Sequence, residues 1–288
     1  MLNIIIQAGF GNQLFQYAMG YTLAKRLNQP LQLDVSFFEY AKDNNFNNLR
    51  INNLDKLSLI NPNFYNQPRK YYKYRYGAKI KNRIFRKLLN FKYPVLWEDV
   101  KNCREYQKDV IERASIMPNV SLYGFWQHPK YFSDCIPDLK AQFVPNYSLS
   151  SKVTELKNKI QQCNSIGVHI RRGDFVKLGW AEDYEYYKRG MDEIKKKINN
   201  PHFFIVTDDK LWVKDTFKES DITIIDVPTD TCDIDEFFLL SLCDHHIISE
   251  STFGWWAAFL NINPNRIIVI PTSAKGALFQ SLENTIKI

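Results

Sequence analysis

The second half of the chain alternates between short apolar runs and helical patterns, and this alternation constrains the fold more than any other feature. The apolar runs predict strands at 166–170, 203–207, 222–226, 247–248 and 267–270. The segments around them predict helices at 151–163, 183–198, 211–217, 235–243, 253–260 and 274–282. Strands separated by helices are typical of a parallel sheet covered on both faces, so the predicted fold class is α/β.

The start of the chain shows a similar pattern. Residues 3–6 predict a buried strand, residues 7–13 a glycine-punctuated turn, Leu14 onward a helix that stops before Pro30, and residues 31–35 a second strand. The turn contains Gly9-x-Gly11 but lacks the third glycine of a dinucleotide-binding fingerprint. The alternative interpretation is a tight turn that presents the Asn12 and Gln13 amides at a helix N-terminus.

A stretch with two prolines and three serines, Pro137 to Ser151, predicts a linker between two domains. A chain of 288 residues is long enough for two ordinary domains with separate cores. We therefore predict domains at 1–148 and 149–288.

The net charge of +7 is concentrated in one tract. Arg69 to Lys92 holds ten Lys or Arg residues and no acidic residue, so the rest of the chain carries 7 − 10 = −3. Tyrosines lie between these basic residues. The tract is interpreted as an ordinary solvated face, as a surface that attracts anionic lipid, or as a nucleic-acid patch with aromatic stacking.

Three features indicate the compartment. Apolar runs stay far below 18 residues, so no transmembrane helix is expected. The N-terminus lacks a basic region before its apolar residues, which argues against a signal peptide. The five cysteines are scattered and include no Cys-x-x-Cys pair, a pattern typical of reduced thiols rather than disulfides or a zinc site. The expected location is the cytoplasm.

Polar side chains follow three of the predicted strands in the second half. The first end carries His169, Arg171 and Arg172, the second carries Asp208, and the third carries Ser249, Ser251 and Thr252. The carboxyl ends of parallel strands are where ligands bind in α/β sheets. Arginines that face a helix N-terminus would bind a pyrophosphate without a metal. The alternatives are a surface ion pair between Arg172 and Asp174, and a plain helix N-cap at Ser251-Thr252.

Two further sequence features have competing interpretations. Asp233-x-Asp235 resembles a metal-binding pair, but it precedes a predicted helix, where acidic residues commonly start helices. Trp126 and His128 follow a predicted strand at 120–125, where they would line a sugar site or pack in the interior. We expect no metal site.

Four segments resemble the α-1,2-fucosyltransferases of glycosyltransferase family 11. They occur in the family's order, and they are Gly9-Phe10-Gly11-Asn12-Gln13-Leu14-Phe15-Gln16-Tyr17-Ala18, Gly124-Phe125-Trp126-Gln127-His128-Pro129-Lys130-Tyr131-Phe132, His169-Ile170-Arg171-Arg172-Gly173-Asp174 and Ile248-Ser249-Glu250-Ser251-Thr252-Phe253-Gly254-Trp255-Trp256-Ala257-Ala258. The resemblance implies a GT-B-like fold, in which two Rossmann-like domains face each other across a cleft. Residues 1–148 would be the acceptor-side domain, and residues 149–288 would bind GDP-fucose.

The reaction implied by the resemblance moves L-fucose from GDP-β-L-fucose to O2 of a terminal galactose, with inversion and without a metal cofactor. Such a reaction would serve O-antigen or other surface glycan synthesis. Arg171 and Asn12 would be catalytic. The donor-binding residues would be His169, Arg171, Arg172, Asp174, Asp208, Ser249, Ser251, Thr252 and Phe253, and the acceptor-binding residues would be Gln13, Trp126 and His128.

Two alternative functions stay open at this point. One is a fucosyltransferase that makes a 1,3 or 1,6 linkage, and the other is a non-catalytic module that binds lipid or nucleic acid through Arg69–Lys92. For the enzyme, the expected partners are GDP-fucose and a galactose-terminated oligosaccharide, with no nucleic acid. The basic tract would then give peripheral contact with the inner membrane.

Overall fold

The computed structural model divides the chain into two compact units, Met1–Phe143 and Val144–Ile288. It describes residues 1–46, 49–68, 84, 94–117, 119–227, 231–274 and 277–288. The division lies slightly before the predicted boundary between residues 148 and 149.

Unit 1 is built on a parallel sheet of five strands in the order β3-β2-β1-β5-β4. The strands are β1 (Leu2–Ile5), β2 (Leu31–Asp34), β3 (Phe64–Tyr65), β4 (Val95–Trp97) and β5 (Val120–Tyr123). Among the described residues of this unit, the helices are α1 (Phe10–Arg26), α2 (Ser36–Asp43), α3 (Lys108–Ser115) and α4 (Ile136–Gln142), with short 3₁₀ turns at Leu54–Lys56, Val100–Asn102, Pro129–Tyr131 and Ser133–Cys135.

Helix α1 begins at Phe10, earlier than the predicted start at Leu14. Gly9 occupies the N-cap position, and its carbonyl accepts hydrogen bonds from the backbone N–H groups of Asn12 and Gln13. The turn is therefore confined to the residues before the helix, where Ala8 adopts a left-handed φ of 65°. As a result, Asn12 and Gln13 belong to the first helical turn and not to a loop.

The predicted linker is partly helical. Helix α4 contains Pro137 in its first turn, where proline's missing N–H costs no hydrogen bond. The next helix is capped by Ser150, whose Oγ accepts a hydrogen bond from Val153 N at 3.3 Å. Only residues 143–150 lie between the two helices, so the prediction of a linker across Pro137–Ser151 was wrong for its first part.

Unit 2 contains a parallel sheet of six strands in the order β11-β10-β9-β6-β7-β8. The strands are β6 (Asn164–Ile170), β7 (Pro201–Thr207), β8 (Ile222–Ile224), β9 (His245–Ile248), β10 (Ile268–Ile270) and β11 (Thr285–Lys287). The helices are α5 (Ser151–Gln161), α6 (Gly173–Leu178), α7 (Tyr184–Lys195), α8 (Lys210–Thr216), α9 (Cys232–Ser241), α10 (Thr252–Leu260) and α11 (Ala277–Gln280).

Helices cover both faces of this sheet. Neighbouring residues of a strand point to opposite faces. His246 Nε2 donates to the Leu240 carbonyl of α9 at 2.9 Å, whereas Ile247 packs against Gly190 of α7, where an added Cβ would lie 3.0 Å from Ile247 Cγ2. The prediction of a parallel sheet with helices on both faces is confirmed for this unit.

The basic tract Arg69–Lys92 lies outside the described residues, apart from Ile84. Within the described part of the chain, none of the helices combines the length and the apolar character needed to cross a lipid bilayer.

Candidate active site

The three polar strand ends of unit 2 meet at one edge of the sheet. Strand β6 pairs with β7 on one side and with β9 on the other, so the residues after these strands are neighbours. A hydrogen bond joins His169 to Ser249, and an ion pair joins Arg171 to Asp208, so the first end contacts each of the other two. The structure therefore brings together the residues that the sequence placed in one site.

His169 is a neutral, oriented imidazole. Its side chain is 5% exposed, its Nδ1 lies 2.9 Å from Ser249 Oγ, and its ring stacks on Phe253 with centroids 5.2 Å apart. Burial, followed by the charge of Arg171, lowers the pKa of His169 to about 3. Among the described residues, Nε2 has no hydrogen-bond partner, so this nitrogen is the one that remains for a ligand.

Gly254 makes room for this imidazole. A Cβ at residue 254 would lie 2.9 Å from His169 Nδ1, a separation that real Cβ atoms essentially never show. Ser249 is completely buried and its Oγ contacts the His169 imidazole, and donor binding by Ser249 stays a prediction.

Arg171 is held between two carboxylates. Its Nη2 lies 2.6 Å from Asp174 Oδ1, and its Nη1 lies 2.9 Å from Asp208 Oδ2. The side chain is 21% exposed. Two of the five guanidinium N–H groups serve these contacts, which leaves about three to donate to an anion. Asp174 and Asp208 thus orient the cation in this structure.

Arg172 contacts Asp209 and Trp212 and not Asp174. Its Nε donates to Asp209 Oδ2 at 3.1 Å, and its guanidinium lies 3.9 Å from the centre of the Trp212 ring. The alternative of an Arg172–Asp174 ion pair was wrong, because helix α6 begins at Gly173 and places Asp174 on the same side as Arg171, three residues earlier. Arg172 is anchored to α8 through these contacts.

The segment after β9 forms an N-cap. Ser251 precedes α10, and its Oγ accepts a hydrogen bond from Phe253 N at 3.3 Å. The N–H of Phe253, predicted to hold a phosphate, is therefore used by the cap in this structure. Thr252 is the first residue of α10 and is partly buried. The plain N-cap interpretation of Ser251 is confirmed, and phosphate binding by Thr252 and Phe253 stays a prediction.

The Asp233-x-Asp235 pair starts a helix. Both residues lie in the first turn of α9, and the two oxygens of Asp235 accept hydrogen bonds from Tyr147 Oη and Thr231 Oγ1, each at 2.7 Å. The interpretation as a helix start is confirmed. In the part of the chain that the structure describes, no group of three or more His, Cys, Asp and Glu side chains is arranged to hold a metal ion.

In unit 1, Asn12 is a partly buried side chain at the start of α1. Its Oδ1 accepts a hydrogen bond from Gln127 Nε2 at 2.8 Å. The opposite end of the Gln127 amide faces Cys103 Sγ, which lies 3.9 Å from Oε1. No described residue accepts a hydrogen bond from the Asn12 NH₂ group, so that group is available to donate to a substrate oxygen.

Gln13 has a structural environment. It is fully buried, its Nε2 donates to the carbonyls of Ala8 at 3.0 Å and Ile51 at 2.8 Å, and its Oε1 accepts from Asn53 N at 3.0 Å. These bonds engage both N–H groups and the oxygen of the Gln13 amide. Gln13 ties the first turn of α1 to the segment at 51–53 and does not present its side chain to an acceptor in this structure.

Trp126 and His128 follow β5, as predicted, but they differ in exposure. Trp126 is fully buried in a left-handed conformation with φ 58°, and its ring contacts Tyr131. His128 is partly buried, its Nδ1 accepts from Lys130 N at 3.1 Å, and burial followed by Lys130 lowers its pKa. Trp126 is therefore a packing residue, the second of its two interpretations, whereas an acceptor contact by His128 stays a prediction.

The sequence interpretation missed two residues of this region, Glu98 and Gln127. Glu98 follows β4 directly and is 4% exposed. Its position after a short apolar run, Val95-Leu96-Trp97, was the available signal, because the other predicted site residues also follow apolar runs. Gln127 lies within the segment Gly124–Phe132 that resembles the family, but only the fold places it beside Asn12.

Comparisons with known proteins agree with these observations. The model of glycosyl transferase family 11 matches residues 1–288. The alpha-1,2-colitosyltransferase of Escherichia coli is 31% identical over 280 residues, covering 93% of this chain and 90% of that protein. The O-antigen biosynthesis glycosyltransferase WbnK of Escherichia coli is 25% identical over 294 residues, covering 92% of each. Human galactoside alpha-(1,2)-fucosyltransferase 1 is 31% identical over 103 residues, covering 33% of this chain and 28% of that protein.

The fold also matches that of a solved glycosyltransferase. The fucosyltransferase NodZ from Bradyrhizobium superposes with a TM-score of 0.50 at 15% identity, covering 90% of this chain and 91% of that one. At this identity the match shows the fold alone, and it confirms the GT-B-like α/β class with two Rossmann-like units. Together with the family match along the whole sequence, it establishes that this chain is a member of glycosyl transferase family 11.

Proposed function

We propose that this glycosyltransferase moves L-fucose from GDP-β-L-fucose to O2 of a terminal galactose, with inversion at the anomeric carbon. The observation that carries the proposal is the Arg171 guanidinium, held between Asp174 and Asp208 at the sheet edge with N–H groups to spare. Relatives named as α-1,2-fucosyltransferases support the sugar and the linkage.

In the proposed reaction, the galactose O2 forms a bond to the anomeric carbon of fucose while the bond from that carbon to the phosphate oxygen breaks. GDP leaves with the bonding electrons, and the O2 proton passes to a base that the structure does not identify. Arg171 would stabilise the negative charge that grows on the β-phosphate. The neutral His169 would donate or accept a hydrogen bond through Nε2 on the nucleotide side.

The acceptor half of the proposed site belongs to unit 1. Asn12 would donate from its free NH₂ group to a hydroxyl or ring oxygen of the reacting sugars. An amide cannot take the proton at neutral pH, so the proposed role of Asn12 is orientation of the attacking oxygen. Residues 1–143 would thus provide the acceptor side, and residues 144–288 would provide the donor side.

A second candidate is transfer of colitose, a closely related deoxysugar, with the same linkage. It is favoured by the colitosyltransferase that matches 93% of this chain at 31% identity. The two candidates share the phosphate chemistry and differ only in the sugar that the site accepts.

One experiment distinguishes these functions. The purified protein is incubated with GDP-fucose or GDP-colitose and a panel of galactosides, GDP release is followed, and the product linkage is determined by NMR. The proposal predicts acceptor-dependent GDP release from GDP-fucose and an α-1,2 product. Preference for GDP-colitose would select the second candidate, a 1,3 or 1,6 product would correct the linkage, and absence of GDP release from any combination would contradict both.

A further inference from the structure

Glu98 is a buried carboxylate at the carboxyl edge of the unit 1 sheet. It is 4% exposed, and no Lys or Arg among the described residues forms an ion pair with it. A buried charge without a cation is costly unless hydrogen bonds compensate it. Such a residue therefore needs a specific reason to be present.

The carboxylate is bound by backbone N–H groups of the turn after β5. Phe125 N donates to Oε2 at 2.5 Å, and Trp126 N donates to Oε1 at 2.9 Å and to Oε2 at 3.1 Å. Glu98 N in turn donates to the Tyr123 carbonyl at 2.9 Å, which fixes the two segments to each other. We call residues 124–127 the Glu98 turn.

The Glu98 turn adopts a conformation that needs this support. Trp126 has φ 58°, and a non-glycine residue in the left-handed region persists only where its surroundings hold it. Gly124 is required for the approach of the carboxylate, since a Cβ there would lie 2.4 Å from Glu98 Cβ and 2.6 Å from Oε2. The chain is thus shaped around this one side chain.

The last residue of the turn reaches the proposed reaction centre. Gln127 N donates to the Cys103 carbonyl at 3.0 Å, and Gln127 Nε2 donates to Asn12 Oδ1 at 2.8 Å. Hydrogen bonds therefore connect Glu98 to the turn at Phe125 and Trp126, and connect the turn to the Asn12 amide at Gln127.

We infer that Glu98 is a positioning residue that acts on the reaction through Asn12. Its carboxylate holds the turn, and the turn carries the Gln127 side chain, whose Nε2 donates to the oxygen of the Asn12 amide. With Oδ1 engaged, the Asn12 NH₂ group is directed to the sugar substrates. This inference rests on the proposed function for its kinetic part only.

Two opposing effects set the protonation of Glu98. Burial, the largest cause, raises the pKa of Glu98 to about 7, although the N–H groups of Trp126 and Phe125 favour the ionised form. The other titratable groups that interact with it electrostatically are Asp99, Cys103 and Tyr131. Since none of these is a cation, the turn's N–H groups are the described contacts that stabilise the carboxylate.

The first test needs no substrate. Glu98→Gln keeps the size of the side chain but points an NH₂ group at the backbone N–H donors, whereas Glu112→Gln makes the same substitution at an exposed residue of α3. At a pH above the raised pKa of Glu98, where the side chain is ionised, hydrogen–deuterium exchange of peptides covering residues 120–128 should accelerate about ten- to a hundred-fold in Glu98→Gln, since a hydrogen bond to a charged group is lost. Exchange of the same peptides in Glu112→Gln should match the wild type. Unchanged exchange in Glu98→Gln would overturn the inference.

The second test uses a double-mutant cycle with fucosyl transfer as the readout. Glu98→Gln should lower kcat about tenfold with an unchanged Kd for GDP, and in the Asn12→Ala background it should add less than a twofold loss. A residue that only supports folding would instead multiply the two losses. Multiplicative losses would therefore contradict action through Asn12.

A third variant covers the case in which Glu98→Gln does not fold. Gln127→Ala leaves the carboxylate and the turn intact and removes only the contact to Asn12. It should reproduce the tenfold loss in kcat and the non-additivity with Asn12→Ala, and full activity in this variant would overturn the inference. If the wild-type protein transfers no fucose, the proposed function fails, and the exchange experiment still decides whether Glu98 holds the turn.

Discussion

Replacing Arg171 tests the phosphate half of the proposed site most directly. The guanidinium is 21% exposed and is fixed by carboxylates at 2.6 and 2.9 Å, so it does not need to reorganise as charge develops on the leaving group. Two unit charges about 4 Å apart interact by about 4 kcal/mol at an effective dielectric constant of 20. Because only the charge that appears in the transition state raises kcat, roughly 3 kcal/mol is the expected contribution, or about 10²-fold in rate.

Removal of the cation has a second effect. The five charged groups Arg171, Arg172, Asp174, Asp208 and Asp209 carry 2 − 3 = −1. Arg171→Ala lowers this sum to 1 − 3 = −2 and leaves Asp174 and Asp208 without the cation between them. We therefore expect KM for the donor to rise in Arg171→Ala, in addition to a loss of about 10²–10³ in kcat.

The assay is steady-state GDP release with both substrates varied, for Arg171→Ala, Arg171→Lys and Arg172→Ala. Lysine keeps the charge but cannot contact both carboxylates and a phosphate with a planar fork, so Arg171→Lys should lose at least about tenfold in kcat. Arg189→Ala, which removes an exposed arginine of α7, serves as the matched control and should behave as wild type. Circular dichroism would test whether each variant is folded.

Two results would refute this assignment. Near-normal kcat in Arg171→Ala would show that the guanidinium does not stabilise the transition state. A severe loss confined to Arg172→Ala would transfer the role to the arginine that here stacks on Trp212.

The remaining predictions concern other parts of the chain. Asn12→Ala should reduce turnover at least tenfold while calorimetry gives an unchanged Kd for GDP; a large loss of GDP affinity would place Asn12 on the donor side instead. Fucosyl transfer should survive excess chelator, and loss of activity that Mn²⁺ or Mg²⁺ restores would contradict metal independence. If Arg69–Lys92 binds membrane, co-sedimentation with anionic vesicles should weaken steeply with salt, because attraction is screened within about 8 Å at physiological ionic strength; salt-insensitive binding, or none, would exclude this role. Burial raises the pKa of Glu98 to about 7 from 4.5. Between these two pH values Glu98 keeps its proton in the folded protein but loses it in the unfolded protein. The stability that this proton contributes below pH 4.5 is therefore lost as the pH rises through 7. In urea unfolding the wild type should therefore lose roughly 3 kcal/mol more than Glu98→Gln over this range, and parallel curves would contradict the raised pKa.

Local sequence patterns were sufficient to predict the α/β class and the strands β6 to β10, but not β3, β4 and β11, which are two or three residues long. The apolar runs of unit 2 are short, and the segments between them have helical spacing, so each strand and helix is specified within its own residues. Parallel pairing then follows from the crossover connections, and it places the residues after β6, β7 and β9 at one edge. For this reason the meeting of His169, Arg171 and Asp208 could be predicted without coordinates.

Element boundaries and partner choice depended on the tertiary structure. The glycines at 9 and 11 suggested a turn through Gln13, yet the helix begins at Phe10, because Gly9 provides the cap and Gln13 finds its partners at Ile51 and Asn53. Those partners are about forty residues away along the chain, a separation that no local pattern encodes.

The same reason explains the two arginines and the missed carboxylate. Adjacent arginines look equivalent in the sequence, but the start of α6 at Gly173 pairs one with Asp174, while the ring of Trp212 takes the other. Glu98 contacts a turn 27 and 28 residues later, and Gln127 contacts Asn12 across 115 residues. The sequence by itself predicted five strands of unit 2, most of the helices around them and which strand ends are polar, but it did not predict β11 or α6. Only the tertiary structure decided which polar groups satisfy one another and which remain for a substrate, because hydrogen-bond partners are chosen by proximity in the folded chain.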